Sequence, residues 1–132
     1  MDCVFCAIVA GDLPSRQIYA DDAAIAFLDI APFQPGHTLV IPRKHVADFR
    51  EEAEVMAELA PAIHEASKLL TSKLHCDGIN LLSNAGATAG QEVFHLHVHL
   101  IPRYASAPGL RNMVPDQRPV ADLDGTFSQL TS

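Results

Sequence analysis

Three histidines alternate with apolar residues in the run from His95 to Ile101, HLHVHLI. Strict alternation over this length predicts a β-strand whose three imidazoles project from one face. A half-buried strand normally places β-branched or aromatic side chains inside and ordinary polar ones outside, and histidine at every second position fits neither pattern. Imidazole is a metal ligand, a nucleophile and an acid-base group near neutral pH, so the run favours metal ligation or nucleophilic chemistry, and the two can coexist.

A Cys-x-x-Cys pair, Cys3 and Cys6, stands near the amino end. In a cytoplasmic chain such a pair is more often a metal half-site or a redox pair than a structural disulfide. A tetrahedral zinc site needs two further ligands, and the candidates are His45 and one histidine of the run. Two partly buried cysteines with no special role are the alternative.

A loop of small residues, 84–91 (NAGATAGQ), leads directly into the histidine run. Glycine lets backbone N–H groups approach a phosphate closely, so this loop is a candidate phosphate cradle. A flexible hairpin connection is the alternative. The position of the loop just before three imidazoles favours the phosphate-binding interpretation.

The elements that must position these residues are short strands and one long helix. The apolar patterns predict strands at residues 18–20, 24–28, 38–41, 79–83 and 93–101. Asp48 has the spacing of an N-cap that accepts from the Glu51 N–H, so we expect a helix over 48–74, with a kink or a broken first turn at Pro61. Residues 5–9 form one or two helical turns, and 120–130 a short helix in a tail without periodicity.

This order of elements predicts an α+β fold, with a five-stranded antiparallel sheet, one long helix and a short N-terminal helix. We expect residues 1–104 to form one domain and 105–132 a C-terminal tail packed on it or extending from it. The 132 residues are 48% hydrophobic and 19% charged, with no apolar run near the length of a membrane span. The amino end does not resemble a secretory signal, so we expect a cytoplasmic protein without a membrane partner.

The net charge of -7 argues against a nucleic-acid polymer as partner, because such a module needs a basic stripe to neutralise phosphates. It does not exclude a single nucleotide. Arg43, Lys44 and Arg103 lie close in sequence to histidines, so a locally positive pocket is compatible with an acidic surface.

The chain resembles the histidine triad (HIT) superfamily of nucleotide hydrolases and transferases, whose signature His-φ-His-φ-His-φ-φ is complete at residues 95–101. The resemblance extends from Cys3 to about Tyr104, and it is close to the bacterial-type, Hint-like nucleoside phosphoramidase branch. Further segments that carry it are 11–15 (GDLPS), 28–30 (LDI), 35–37 (PGH) and 41–45 (IPRKH). It implies a homodimer in which the long helix and an edge strand pair across a two-fold axis.

The resemblance also implies a catalytic role for each histidine. His97 would be the nucleophile that attacks the α-phosphorus and forms a nucleotidyl-histidine, with its tautomer fixed by the backbone carbonyl of His95. His99 would hold the phosphate oxygens, and His37 would extend the proton network.

Substrate contacts are implied at several further positions. Asp29 would bind the ribose hydroxyls, which suits a carboxylate that accepts two hydrogen bonds. Asn84, Gly90 and Gln91 would contact the phosphate or the leaving group. By the same resemblance Glu92 would stand near the leaving group, where the phosphoramidase branch has serine. The apolar residues that would sandwich the base, and that are also ordinary core positions by periodicity, are Phe5, Ile8, Phe27 and Ile30.

Family members with the amino-terminal Cys-x-x-Cys bind zinc, and by resemblance the ligands here are Cys3, Cys6, His45 and His95. Such a zinc would be structural, because it would pin the amino terminus behind the active segment and fix His95. No organic cofactor is implied. The chain lacks tryptophan, so the aromatic carboxyl-terminal element of the phosphoramidase branch is absent.

The predicted function is that of an enzyme that releases a nucleoside monophosphate from a nucleoside 5′-phosphate derivative. The substrates would be purine nucleotides, AMP or GMP derivatives and above all AMP-type phosphoramidates. The alternatives are a dinucleoside polyphosphate hydrolase, and a zinc-stabilised nucleotide-sensing or interaction module with incidental turnover. A metal-dependent hydrolase with three histidine ligands is a further option.

Overall fold

The computed structural model describes residues 3–107 and 122–132. The helices are α1 (Val4–Ala10), α2 (Ala53–Ala57), α3 (Ala60–Leu74) and α4 (Leu123–Thr131). The strands are β1 (Gln17–Ala20), β2 (Ala24–Leu28), β3 (Thr38–Pro42), β4 (Gly78–Leu82) and β5 (Val98–Arg103). Part of the predicted tail, residues 108–121, lies outside the described residues, and the domain boundary stays a prediction. Within the described ranges no helix combines the length and hydropathy that a bilayer crossing requires.

The five strands form one sheet in the order β1-β2-β3-β5-β4, and every neighbouring pair is antiparallel. The predicted α+β class and the antiparallel sheet are therefore confirmed. The hairpin between β1 and β2 closes on Asp21, whose Oδ1 accepts from the N–H groups of Ala23 and Ala24. β1 and β4 are the outer strands of the sheet, and the homodimer stays a prediction.

Both faces of the sheet are covered, and this explains why β2 is apolar throughout. Ala24 and Ala26 pack in the core beneath α3, whereas Ile25 and Phe27 pack with α1 on the opposite face. Successive residues of a strand point to opposite faces, so the same alternation divides β5. Val98 belongs to the core under α3, and His99 belongs to the face of α1, where the functional side chains lie.

The long helix predicted over 48–74 is wrong in its first part. Asp48 Oδ1 accepts from the Arg50 N–H at 2.8 Å, and Asp48 also pairs with the Arg50 guanidinium, so this carboxylate stabilises a turn instead of a helix N-terminus. The chain becomes helical only in α2, breaks, and begins α3 with Pro61 in the first turn, where a missing N–H costs nothing. The predicted break at Pro61 is confirmed.

The fifth strand begins later than the alternation predicts, at Val98, and His95 lies in a bend. The pairing of β3 with β5 ends at Val40 opposite Val98. Beyond that point the His95 side chain donates from Nε2 to the Pro42 carbonyl oxygen at 2.9 Å. If β5 continued toward its N-terminus, a backbone N–H group of β5 would lie there instead. The three imidazoles consequently do not share one strand face.

Candidate active site

A cavity of about 720 Å³ opens on the α1 face of the sheet, a volume typical of small-molecule sites. Its floor is a row of cross-strand neighbours, because Phe27 pairs with Leu39, Leu39 with His99, and His99 with Leu82. All four residues line the cavity. The walls come from α1, from the segment after β2 and from the β4–β5 connection.

His97 lines this cavity with a defined tautomer. Its Nδ1 lies 2.8 Å from the His95 carbonyl oxygen, and because a carbonyl only accepts, Nδ1 carries the proton in the neutral imidazole and Nε2 has the lone pair. The Ser83 hydroxyl donates to the His97 carbonyl at 2.7 Å and holds the backbone. The Phe5 ring meets the His97 ring edge-on at 5.1 Å. The arrangement presents an unprotonated imidazole nitrogen on a side chain that is only 8% exposed.

His99 and His37 form a hydrogen-bonded pair beside His97, and the Asp29 carboxylate lies close to it. The Phe33 N–H donates to His37 Nδ1 at 3.1 Å, so the proton of neutral His37 is on Nε2, 3.0 Å from His99 Nδ1. His99 therefore accepts at Nδ1 and keeps its own proton on Nε2, available to a ligand oxygen. Asp29 Oδ2 lies 3.6 Å from His37 Nε2.

Burial keeps these imidazoles neutral. Desolvation, with smaller contributions from His97 and His37, lowers the pKa of His99 to about 4. Burial also lowers the pKa of His37, while the charge of Asp29 opposes the shift. The pKa of His95 falls mainly through burial, with the Pro42 carbonyl opposing it. At neutral pH the group therefore offers neutral hydrogen-bond donors and acceptors.

The β4–β5 connection supplies Asn84, Gly90 and Glu92 to the cavity wall. Gly86 and Gly90 have φ values of 94° and 101°, and a Cβ on Gly90 would lie 3.5 Å from Asn84 Nδ2. Glycine adopts this backbone without strain.

Gln91 belongs to the same connection but does not line the cavity, and it is only 4% exposed. Its Nε2 donates to the carbonyls of Ala47 and Val93, at 2.7 and 3.0 Å, and its Oε1 accepts from the Gly86 N–H at 2.8 Å. The amide is thus used within the protein, which corrects its interpretation as a substrate contact: Gln91 fixes the loop that carries Asn84 and Gly90.

A second cluster lies behind the cavity, where Cys3, Cys6, His45 and His95 bring one donor atom each to within 4.8 Å of the others. His95 Nδ1 is 3.1 Å from His45 Nδ1 and 3.5 Å from each cysteine Sγ, and Cys6 Sγ is 3.2 Å from His45 Nδ1. Tetrahedral zinc implies N···N and N···S distances of about 3.3 and 3.6 Å. Because His95 Nε2 donates to Pro42, its Nδ1 presents a lone pair to this cluster. The donor set fits zinc.

The four apolar residues predicted around the base divide into two groups. Phe5, Ile8 and Phe27 line the cavity and are also buried in the core, so both interpretations apply to them. Ile30 lies at the cavity as well, but it is 88% exposed and is not a core residue.

Several residues that sequence reasoning missed complete the site. Phe33 stacks on the His37 ring at 5.2 Å and donates its N–H to it, and no motif signals that role. Leu39 and Leu82 were recognisable only through strand register. Ser83 directly precedes the loop, and the sequence pattern predicts only that it ends the fourth strand.

A family model described as the HIT domain matches residues 10–106. The chain belongs to the histidine triad family. This family is a superfamily of nucleotide-binding proteins that includes hydrolases, and the chain belongs to it at this coarse level. The protein named Hit from Bacillus subtilis is 41% identical over 109 residues, which cover 82% of this chain and 75% of the relative.

The crystal structure of a HIT family member from Bacillus subtilis superposes with a TM-score of 0.87 at 36% identity and covers 99% of this chain and 96% of that one. The adenylylsulfatase HINT3 of Arabidopsis thaliana is 40% identical over 103 residues, which are 77% of this chain and 52% of that protein.

Proposed function

We propose that this HIT protein is a nucleotide phosphoramidase that releases a purine nucleoside monophosphate, AMP or GMP, through a nucleotidyl intermediate on His97. The observation that carries the proposal is the 2.8 Å contact from His97 Nδ1 to the His95 carbonyl, which selects the neutral tautomer with its lone pair on Nε2, on a residue of the cavity wall. A neutral imidazole is the form that attacks phosphorus, so the fold presents the reactive tautomer before substrate binds.

The neighbouring groups support a nucleotide bound in one orientation. The apolar wall of Phe5, Ile8 and Phe27 suits a base, and Asp29 at the end of β2 suits the ribose hydroxyls. His99 then donates from Nε2 to an α-phosphate oxygen. Its neutral state costs nothing to maintain in a buried site, whereas an imidazolium there would have to be desolvated.

The cluster behind the cavity supports a structural zinc held by Cys3, Cys6, His45 and His95. When bound, the ion supplies rigidity at His95, the residue whose carbonyl fixes the nucleophile. The catalytic steps remain with His97 and its cavity neighbours.

A metal-dependent hydrolase with the three histidines as ligands is disfavoured by their geometry. His95 Nδ1 faces the cysteines, and His99 Nδ1 faces His37. His97 Nδ1 is bound to a carbonyl. The three rings therefore do not offer their nitrogens to one point.

The test is the hydrolysis of adenosine 5′-phosphoramidate by the wild-type protein, by His97→Ala and by His64→Ala, a control at an exposed position of α3. The proposal expects AMP release by wild type and His64→Ala, and a loss of at least about 1,000-fold in His97→Ala. Adenosine 5′-phosphosulfate joins the panel because of the Arabidopsis relative's name, and diadenosine polyphosphate tests the rival hydrolase. Tight AMP binding without turnover of any substrate would favour the sensing module.

A further inference from the structure

The cavity wall is acidic, although its ligand carries phosphate. Among the described residues, the charged side chains that line it are Asp29 and Glu92, and no lysine or arginine does so. His99, whose burial holds its pKa near 4, adds no positive charge at neutral pH. A polyphosphate leaving group would bring several negative charges into this wall, where nothing among the described residues compensates them.

The two carboxylates reach the cavity from different elements of the fold. Asp29 follows β2, and Glu92 lies in the connection between β4 and β5. In the sheet order β2-β3-β5-β4, the strands that border this connection, β4 and β5, lie beyond β3 as seen from β2, and β5 carries His99. With the ribose at Asp29 and the α-phosphate at His97 and His99, Glu92 is the charged residue of the described lining that remains for the leaving group.

Glu92 differs from Asp29 in its partners. Asp29 Oδ1 accepts from the Ala31 N–H, and its Oδ2 faces His37. Glu92 is exposed, and in residues 3–107 and 122–132 it has neither a hydrogen bond nor an ion pair. Its carboxylate is consequently available to a substrate, and no internal contact explains its presence at the cavity.

We propose that Glu92 selects leaving groups that carry a positive charge, so that the preferred substrates are nucleoside 5′-phosphoramidates of amines with a second, protonated amino group. The inference rests on the proposed function and names its substrate class. An ammonium near Glu92 gains a favourable interaction, while an anionic leaving group is repelled, which is how charge pairs produce specificity more than affinity.

The reaction balances without a further reactant. The His97 Nε2–P bond forms as the P–N bond breaks, and the electron pair of that bond stays on the departing amine. Water then attacks phosphorus, its oxygen stays on the nucleoside monophosphate, and His97 is regenerated. The departing amine takes up one proton as it leaves, and the attacking water returns one proton to solvent when its hydroxyl group stays on phosphorus, so the net change is hydrolysis of one P–N bond.

The test uses three AMP phosphoramidates of similar length, with a 3-aminopropyl, a butyl or a 2-carboxyethyl group on nitrogen. For each protein variant kcat/KM is measured for all three, and the cationic-to-anionic ratio is divided by the ratio for wild type. Differences in intrinsic reactivity of the P–N bonds cancel in this double ratio. The variants are Glu92→Gln, Glu92→Lys and the control Glu54→Gln, at an exposed position of α2.

The proposal expects the cationic-to-anionic ratio of kcat/KM to be roughly 10-fold lower in Glu92→Gln than in wild type, lower still in Glu92→Lys, and unchanged in Glu54→Gln. The ratio of the wild-type protein itself should shrink in 0.5 M salt. Equal ratios in all four proteins would overturn the role of Glu92, while turnover that depends on His97 would leave the proposed function intact. Absence of turnover of all three compounds by the folded wild type would overturn both. Circular dichroism of each variant verifies folding.

Discussion

His97 Nδ1 lies 2.8 Å from the backbone carbonyl oxygen of His95, while the His95 ring reaches the cysteine cluster on the other side. One residue therefore connects the candidate metal site with the candidate nucleophile. Its side chain is completely buried and anchored at both nitrogens, by Pro42 and by the cluster. Whatever fixes His95 also fixes the tautomer of His97.

The first prediction is that the cluster of two cysteines and two histidines holds zinc. Freshly purified protein is expected to hold about one zinc per chain by elemental analysis, and Cys6→Ser to lose it together with roughly 10 °C or more in Tm. Cys76→Ala is the control, because Cys76 is buried away from the cluster and should retain the metal. Chelation should lower Tm before it abolishes AMP release. Metal-free protein straight from purification would refute the zinc assignment.

Selectivity for ribose follows from the position of Asp29. In Asp29→Asn the side chain keeps the acceptor for the Ala31 N–H but loses its charge. Hydrogen bonds to a charged acceptor contribute about 1.5–3 kcal/mol, so AMP affinity should fall roughly 10- to 100-fold. Calorimetry with 2′,3′-dideoxy-AMP should show a much smaller change, and Asp22→Asn, at an exposed turn, should change neither. Equal losses for both nucleotides would contradict a ribose contact.

The hydrogen bonds of Gln91 predict a stability effect. Gln91→Leu would leave the Gly86 N–H and the carbonyls of Ala47 and Val93 without this partner, which should lower the free energy of unfolding by about 3 kcal/mol. The control Gln17→Leu, at the exposed first position of β1, should change it by less than about 0.5 kcal/mol. Urea denaturation measures both. A near-neutral Gln91→Leu would mean that the loop does not depend on this amide.

The depressed pKa of His99 predicts a pH dependence of stability. The ordinary value is 6.5 and the folded value about 4, so between these limits the unfolded chain binds more protons than the folded one. His99 therefore does not reduce the free energy of unfolding above pH 6.5, and this free energy decreases as the pH falls from 6.5 toward 4. In His99→Asn this contribution vanishes, so the stability difference between variant and wild type should shift in favour of the variant from pH 7 to pH 5. Parallel stability curves would contradict the shift.

The sequence predicts the class of fold well because the apolar periods of its strands are strong, and it fails where tertiary contacts decide. The predicted fifth strand extends from Val93 to Ile101, yet the backbone bends at His95, because the imidazole donates to the Pro42 carbonyl and faces the cysteine cluster. Asp48 has N-cap spacing, but Arg50 captures its carboxylate. Neither the hydrogen bond of His95 to Pro42 nor the pairing of Asp48 with Arg50 can be recognised from a local sequence pattern.

The candidate site was predictable mainly through motif resemblance. It names His97, His99 and Asp29, which line the cavity, and His37, which lies behind them in contact with His99 and Asp29. The resemblance assigns Gln91 to the substrate because it stands beside Gly90, whereas the orientation of its amide depends on the carbonyl of Ala47, 44 residues away in the chain. Local spacing cannot specify that direction.

Covalent transfer to His97 is the central claim, and rapid-quench labelling tests it most directly. Wild-type protein and His97→Ala react in a single turnover with an α-labelled adenosine 5′-phosphoramidate and are quenched in base, and the labelled peptide is mapped. We predict transient label on His97 that decays as AMP appears, with neither in His97→Ala. AMP release by wild type without a labelled protein, or undiminished release by His97→Ala, would contradict the account.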